Sequence, residues 1–363
     1  MVVEPTSLAL VHGAMTGDRS GQAWQTALTP FSRMEFVASD AALGISAGIR
    51  ALAQARAQQA AAAGTAPTPL TQGLDLFHTA REAERVLGGY WRRAEAAWDT
   101  AVQAERQAAE VQRQGHDSQK QATQAYHAWC QARKDFDTAQ RCETAWKRAH
   151  AALQLFRPDG VLNDRCWAAA EIRASLDELS DLRWRKTRGF LRDRRTLAFL
   201  DRMQERLAAA VPDARLREAC VRRYWLRHHE AATATAPPTT PGEQLLQVLD
   251  AKIRDGALSN EEQAAYDRVK GVLSTTVRAS SAVEGSNSVT RMHQCRHRRM
   301  SQGLLDLKRL YWNCHKLATG RRRGRSPYEM LGLTLPPTTD FWTLLQSSPE
   351  KLAELVSSVQ LRE

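Results

Sequence analysis

The stretch from about Thr79 to Glu230 limits what this chain can fold into more than any other feature. Glycine and proline are sparse in it, whereas Ala, Arg, Gln and Glu dominate. These residue types favour helix, and so few breakers allow helices much longer than average. Turn-like residues at 112–119 and 157–164 divide the stretch. We predict one long helix before the first turn and further helices near 118–155, 165–180, 189–210 and 214–230.

Aromatic and alanine residues recur along the two long helices. Trp91, Ala94, Trp98 and Ala101 follow the spacing of a helix-pair seam. In the second helix, the candidate seam residues are Tyr126, Trp129, Trp146 and Ala149. Such a stripe indicates helix–helix core rather than a cofactor site. The stretch contains no catalytic motif of its own.

The first 78 residues have a different pattern. Short apolar runs at 7–15, 34–40 and 70–78 are typical of strands, and helix-like segments lie between them, at 18–31 and from Ala41 to Ala63. Strand, helix, strand, helix, strand is the alternation of an α/β layer with some parallel pairing. We therefore predict an α/β part followed by a large helical insertion, with helix predominating overall.

A Pro/Thr-rich linker at 231–242 follows the helical stretch. Beyond it, Ser259 and Glu262 have the spacing of a capping box, which predicts the start of a helix. The apolar stripe of that helix includes Val269, Leu273 and Val277. Continued at the same spacing, the stripe passes through Ser280 and Ser281 and places Glu284 on the inward face.

Burying a carboxylate on the inward face of a helix costs roughly several kcal/mol of folding free energy unless a cation or hydrogen bonds compensate its charge. Arg291 lies seven residues further on and could pair with Glu284. Alternatively, the small residues around Glu284 leave room for a ligand beside its carboxylate. The residues alone leave both interpretations open.

The positive charge is concentrated near the C-terminal end. Residues 291–325 contain eleven Lys/Arg side chains and one acid, Asp306, a net +10 of the chain's +11. Concentrated basicity of this kind indicates a phosphate-rich partner, chiefly nucleic acid, although a solvated basic tail would have the same composition.

The scattered cysteines and the lack of a long apolar run indicate that the chain resides in the reducing cytoplasm. Six cysteines are scattered without a C-x-x-C pair, and there is neither a signal-peptide pattern nor an apolar run of membrane-spanning length. Five residues in the basic region could be considered as zinc ligands, but their spacing matches no common zinc signature. They are His293, Cys295, His297, Cys314 and His315.

The segment "SSAVEGSNSVTRMHQCRHRRMSQGLLDLKRLYWN" (280–313), followed by "GRRRGRSPYEMLGL" (320–333), resembles the C-terminal segment of DDE transposases of bacterial insertion sequences. "FVASDAALGISAGI" (36–49) and "GLDLFHTAREAERVL" (73–87) resemble upstream segments of the same family. The resemblance implies an RNase H-like catalytic core interrupted by a helical insertion between the second and third catalytic acids.

The resemblance assigns a role to Asp40, which matches the second catalytic acid, and to Glu284, which matches the third. Together they would bind Mg²⁺ or Mn²⁺ for two-metal cleavage and strand transfer at the element ends and a target DNA. A homo-oligomer in a synaptic complex and a nucleoid-associated location in the cytoplasm are expected. The DNA-binding candidates are Arg291, Arg296, Arg298, Arg299, Lys308, Arg309, Arg321, Arg322 and Arg323.

The resemblance also implies domain bounds and a departure from the family. The core is expected at 1–78 and 243–333, the insertion at 79–230, the linker at 231–242 and a tail at 334–363. The family's first acid lies on a strand upstream of the one near Ser7, and neither Glu4 nor Asp18 is placed like it. Asp18 is better interpreted as a helix N-cap. We therefore expect an incomplete core with exposed strand edges and impaired catalysis.

Two alternatives remain open from the sequence. Asp75 and His78, at the end of a predicted strand, could assist the site or be structural. The whole chain could instead be a non-catalytic DNA-binding protein derived from a transposase, which pairs with an intact copy through its helical insertion.

Overall fold

A computed structural model describes the backbone of residues 1–14, 16, 18–228, 241–278, 301–318, 322–333, 342, 346 and 348, and their side chains except at 241–247. The chain divides into two compact units. The strand-containing unit comprises Met1–Gln72 and residues from Val277 onward, and the helical unit comprises Gly73–Thr276.

The strand-containing unit has short strands and a few helices. In chain order they are β1 (Val2–Val3), β2 (Leu10–His12), α1 (Gly21–Leu28), β3 (Phe36–Ser39), α2 (Leu43–Ala62), β4 (Thr71–Leu74), which runs into the helical unit, and then α11 (Gln302–Cys314) and α12 (Pro327–Met330). β1 and β2 pair antiparallel, with Val2 opposite His12 and Val3 opposite Leu10. β3 pairs with β4.

The core of this unit lies between α1 and α2. Leu28, Ile45, Ile49 and Leu52 are buried together, and Trp24 packs against them. The two helices approach closely because α2 has a glycine at the crossing. A Cβ atom on Gly48 would lie 2.6 Å from the Cβ of Trp24 and 2.8 Å from the carbonyl oxygen of Gly21. Any larger residue at 48 would force the helices apart.

The helical unit begins with two long antiparallel helices, α3 (Leu76–Arg113) and α4 (Gln119–Ala152). Their seam consists of buried alanines, which let the two backbones lie close together: Ala94, Ala101, Ala125, Ala132 and Ala139. Two aromatic pairs flank the seam, Trp91 with Phe136 and Trp98 with Trp129, at ring-centroid distances of 5.4 and 4.8 Å.

Shorter helices complete the helical unit. They are α5 (Arg165–Glu178), a 3₁₀ turn (Leu182–Trp184), α6 (Arg185–Arg192), a second 3₁₀ turn (Arg194–Leu197), α7 (Ala198–Ala210), α8 (Ala214–His228), α9 (Pro241–Asp255) and α10 (Asn260–Thr275). The unit extends past the predicted insertion at 79–230, because α10 packs on α7 and α8 through buried Val269 and Leu273.

Several predictions about secondary structure are confirmed. The described chain is mostly helical. The first long helix ends at Arg113 and the second begins at Gln119, each within two residues of a boundary of the predicted turn at 112–119. Gly115 in that turn has φ +74°. Ser259 and Glu262 form the predicted capping box at the start of α10.

Other predictions about secondary structure are wrong. The helix predicted at 189–210 is divided at Asp193, which caps a 3₁₀ turn through the N–H of Arg195. The run predicted as a strand at 70–78 changes to helix after Leu74. The N-cap of α1 is Ser20, which accepts from the N–H of Ala23, whereas Asp18 accepts from the N–H of Ser20 itself.

The stripe used to orient Glu284 does not continue. α10 ends at Thr275, and its C-cap, Thr276, has an extended conformation with ψ 114°. Val277, the last residue of that stripe, therefore lies beyond the helix. β-branched residues at the end of α10 lower helix propensity, and the Thr276 hydroxyl donates back to the carbonyl of Val272.

Candidate functional site

Asp40 lies directly after β3, where the sequence predicted a catalytic carboxylate. β3 ends at Ser39, and α2 begins at Leu43. The Asp40 side chain is exposed, and one of its oxygens, Oδ1, accepts a hydrogen bond from the N–H of Ala42 at 3.2 Å. This bond holds the carboxylate at the strand end while its other oxygen stays available to a ligand.

A buried polar network supports the residue that precedes Asp40. Ser39 is 5% exposed, and its hydroxyl accepts from Nε2 of Gln72 at 2.8 Å. The same Gln72 nitrogen donates to the hydroxyl of Ser46, on α2, at 3.1 Å. One amide thereby joins β3, β4 and the start of α2. Sequence patterns do not predict this network, because Gln72 is 33 residues from Ser39 and 26 from Ser46.

Asp75 and His78 form a local pair at the start of α3, in the helical unit. Asp75 is buried, caps α3 by accepting from the N–H of Phe77 at 2.9 Å, and its Oδ2 lies 3.0 Å from Nδ1 of His78. A carboxylate at a helix N-terminus is stabilised by the helix dipole and by the free N–H groups. These contacts account for Asp75 as a structural residue. A role for the pair in catalysis stays a prediction.

Of the two predicted metal ligands, Asp40 lies within the described residues. Glu284 lies outside the described residues, and among the described residues no three His, Cys, Asp or Glu side chains form a group that could hold a metal ion. Asp40 itself fits a hard divalent cation, because it offers a solvated carboxylate oxygen of the kind that Mg²⁺ prefers.

Four of the predicted DNA-binding residues are described, and the others, Arg291, Arg296, Arg298, Arg299 and Arg321, are not. Lys308 and Arg309 lie on α11, where burial lowers the pKa of Lys308 and Arg309 is 3.5 Å from Asp306. Arg323 is exposed. Arg322 donates from Nε to the carbonyl of Thr6 at 2.9 Å and from Nη2 to that of Pro5 at 3.0 Å, so it also secures the β1–β2 connection.

The zinc alternative has little support among the described residues. Of its five candidate ligands, Cys314 and His315 alone are described, and His315 stacks on Tyr311 with ring centroids 5.6 Å apart. His293, Cys295 and His297 lie outside the described residues.

A cavity of about 340 Å³ lies in the strand-containing unit. Most of the residues that line it are apolar, among them Val2 and Val3 of β1, Trp24 of α1, and Phe36 and Val37 of β3. In the described part of the chain, β1–β2 and β3–β4 are separate two-stranded sheets, so the cavity adjoins an edge strand of each.

No family model, curated protein or solved structure matches the chain. Across the described residues, none of the helices combines the length and the apolar character that crossing a membrane requires.

Proposed function

We propose that this chain is a DDE-type DNA transposase, or a copy derived from one, with an RNase H-like core. It would hydrolyse phosphodiester bonds and transfer strands at the ends of a DNA element. The observation that carries the proposal is the position of Asp40, an exposed carboxylate immediately after a core strand and before a helix. The resemblance around Glu284 supplies the family's third acid.

In this proposal the chain's own residues bind metal and DNA. Asp40 and Glu284 would hold a divalent cation, Mg²⁺ or Mn²⁺, and the bound cation would supply Lewis-acid activation of the attacking oxygen and stabilisation of the leaving oxygen. The Ser39–Gln72–Ser46 network keeps the Asp40 backbone in place. Lys308, Arg309 and Arg323 contribute positive charge toward the DNA backbone, together with the basic residues at 291–299. Copies of the chain assemble on the element ends.

The cavity that adjoins β1 and β3 is compatible with an incomplete sheet. An additional strand next to either edge would cover an apolar surface and could bond backbone groups that no other described strand pairs with. An RNase H-like core that lacks one strand would have such an apolar cavity beside the edge of its sheet.

Metal-dependent nicking of supercoiled plasmid DNA tests the proposal, with the plasmid as the probe. Asp40→Asn and Glu284→Gln should each lower the nicking rate by on the order of 100-fold, because each removes an anionic metal ligand. Asp18→Asn is the matched control, since Asp18 is an exposed carboxylate of the same unit. Its rate should stay within about twofold, because it is not a metal ligand in this assignment.

Two other outcomes are informative. Full nicking activity in both variants would show that the acids are wrongly assigned. Tight DNA binding without nicking in the unmodified chain would instead favour the non-catalytic DNA-binding protein.

A further inference from the structure

A second basic surface lies in the helical unit, outside the predicted DNA-binding residues. Residues 181–195 contain seven Lys/Arg side chains and two acids. Both acids are already neutralised, since Asp181 is 3.5 Å from Arg183 and Asp193 is 2.6 Å from Arg195. Lys186 is paired with Glu82 at 3.5 Å. Four arginines remain for which no ion pair occurs among the described residues: Arg185, Arg188, Arg192 and Arg194.

The fold exposes three of these four arginines. Trp184 and Thr187 are fully buried, and Leu191 is 4% exposed, so one face of α6 packs into the helical unit. Arg185, Arg188 and Arg192 follow one another at intervals of three and four residues, which places them together along one side of α6, next to its buried face. Arg185, Arg192 and Arg194 are exposed, whereas Arg188 is half-buried and donates to the carbonyl of Ser180 at 3.0 Å.

Gly189 lies in the middle of this basic face, four residues after Arg185 and three before Arg192. A Cβ atom built on Gly189 would meet no atom within 4 Å, and its φ is not positive, so packing and backbone conformation both permit a side chain there. A glycine inside a helix costs about 1 kcal/mol relative to alanine. Packing within the fold does not explain why the helix has a glycine at this position. Close approach of a ligand backbone explains it, because a side chain at 189 would stand between the arginines and the ligand.

We propose that this side of α6, with Arg185, Gly189 and Arg192, together with Arg194 in the adjoining 3₁₀ turn, binds the phosphate backbone of a nucleic acid. Guanidinium groups match phosphate oxygens by bidentate hydrogen bonding, and the four cations of residues 181–195 that have no ion pair among the described residues are all arginines. Arg185 and Arg192 are about 10 Å apart along the helix axis, which spans about three phosphates of one DNA strand. The contact is with the backbone and therefore independent of base sequence.

The same observations disfavour an anionic membrane as the ligand. An interfacial helix buries an apolar face among the lipids. The apolar face of α6 is already buried inside the protein, and the side that faces solvent carries arginines and a glycine.

Binding of a fluorescently labelled duplex of arbitrary sequence to the full chain, at 50 to 200 mM salt, tests the proposal. The triple variant Arg185→Gln, Arg192→Gln and Arg194→Gln should bind at least tenfold more weakly, and the slope of log K against log salt should fall by about 2 to 3. The control triple variant Arg106→Gln, Lys120→Gln and Arg133→Gln removes the same charge from exposed positions on α3 and α4. It should change the affinity less than about twofold.

A charge-neutral variant tests the role of the glycine. Gly189→Leu should weaken duplex binding about fivefold by holding the phosphates away from the arginines, without any change in net charge. Gly271→Leu is the matched control, because Gly271 is a helical glycine on α10 whose Cβ would also meet no atom within 4 Å. It should leave binding unchanged. Circular dichroism verifies that all four variants fold.

Four outcomes would overturn the proposal. The unmodified chain could fail to bind the duplex, the two triple variants could lose the same amount of duplex affinity, or Gly189→Leu could keep its full duplex affinity. In the fourth outcome, the α6 triple variant loses binding to phosphatidylserine vesicles while it still binds the duplex. A failure of plasmid nicking leaves these results unaffected, since the α6 surface does not depend on the acids Asp40 and Glu284.

Discussion

The side-chain amide of Asn313 makes both hydrogen bonds that a neighbouring strand would make to Leu10. Its Oδ1 accepts from the N–H of Leu10 at 2.8 Å, and its Nδ2 donates to the carbonyl of Leu10 at 3.2 Å. Asn313 is 2% exposed. On either side, Trp312 donates to the carbonyl of Leu8 and Gln302 to that of Gly13. α11 thus covers the edge of β2, which would otherwise be open to pairing with another chain.

Asn313→Leu should destabilise the strand-containing unit by about 2 to 4 kcal/mol, because it leaves two buried backbone groups of Leu10 without partners. Urea unfolding followed by tryptophan fluorescence measures the change. Gln302→Leu, at the exposed start of the same helix, removes the bond to the carbonyl of Gly13 and leaves both backbone groups of Leu10 paired with Asn313. It should cost less than about 1 kcal/mol. Equal losses in the two variants would contradict the role assigned to Asn313.

The alanine seam between α3 and α4 should not tolerate larger side chains. Ala132 is fully buried, so Ala132→Leu should destabilise the hairpin by about 1 to 3 kcal/mol through overpacking. Ala109→Leu, at an exposed position on α3, should change stability by less than about 0.5 kcal/mol. Thermal unfolding monitored by circular dichroism compares the two. A neutral Ala132→Leu would show that the helices lie further apart than this seam implies.

Trp98 and Trp129 should be energetically coupled across the hairpin. Their rings meet edge to face at an interplanar angle of 89°. A double-mutant cycle with Trp98→Leu and Trp129→Leu should give a coupling energy of about 0.5 to 1.5 kcal/mol. Pairing Trp98→Leu with Trp146→Leu provides the control cycle, in which the coupling should be near zero. Comparable coupling in both cycles would indicate a general effect of removing tryptophan.

Helix content was predictable because its signals are local. The hairpin follows from two breaker-free stretches joined by "QRQGHDSQ", and α10 from the Ser259–Glu262 spacing. The errors arise where a local signal was ambiguous. Asp193 caps a 3₁₀ turn inside a run that otherwise favours helix, and α10 ends at Thr275 without a glycine or proline.

The candidate site was predictable only in part. The position of Asp40 directly after β3 could be predicted, because an acid that follows an apolar run is visible in the sequence. Its role as a metal ligand stays a prediction. The contacts of Asn313 and Arg322 could not be predicted, because their partners lie more than 300 residues away in the chain. The α6 face was missed for another reason. The sequence shows its charges, but the pairing of Asp181, Asp193 and Lys186, and hence the unpaired arginines, appears only in the fold.

His12 should make the strand-containing unit less stable in mild acid. Burial lowers the pKa of His12, the N-terminal amino group and Arg309 lower it further, and Asp306 opposes them. In the unfolded chain, the imidazole of His12 therefore binds a proton near pH 6.5, whereas in the folded chain it binds one only at lower pH. The free energy of unfolding falls as the pH drops below about 6.5.

In His12→Gln, the loss of unfolding free energy between pH 7.5 and pH 5 should be smaller than in the unmodified chain. Urea unfolding at both values measures it, with His127→Gln, an exposed histidine on α4, as the control for removing a histidine. A pH dependence that is identical in His12→Gln and the unmodified chain would exclude this effect.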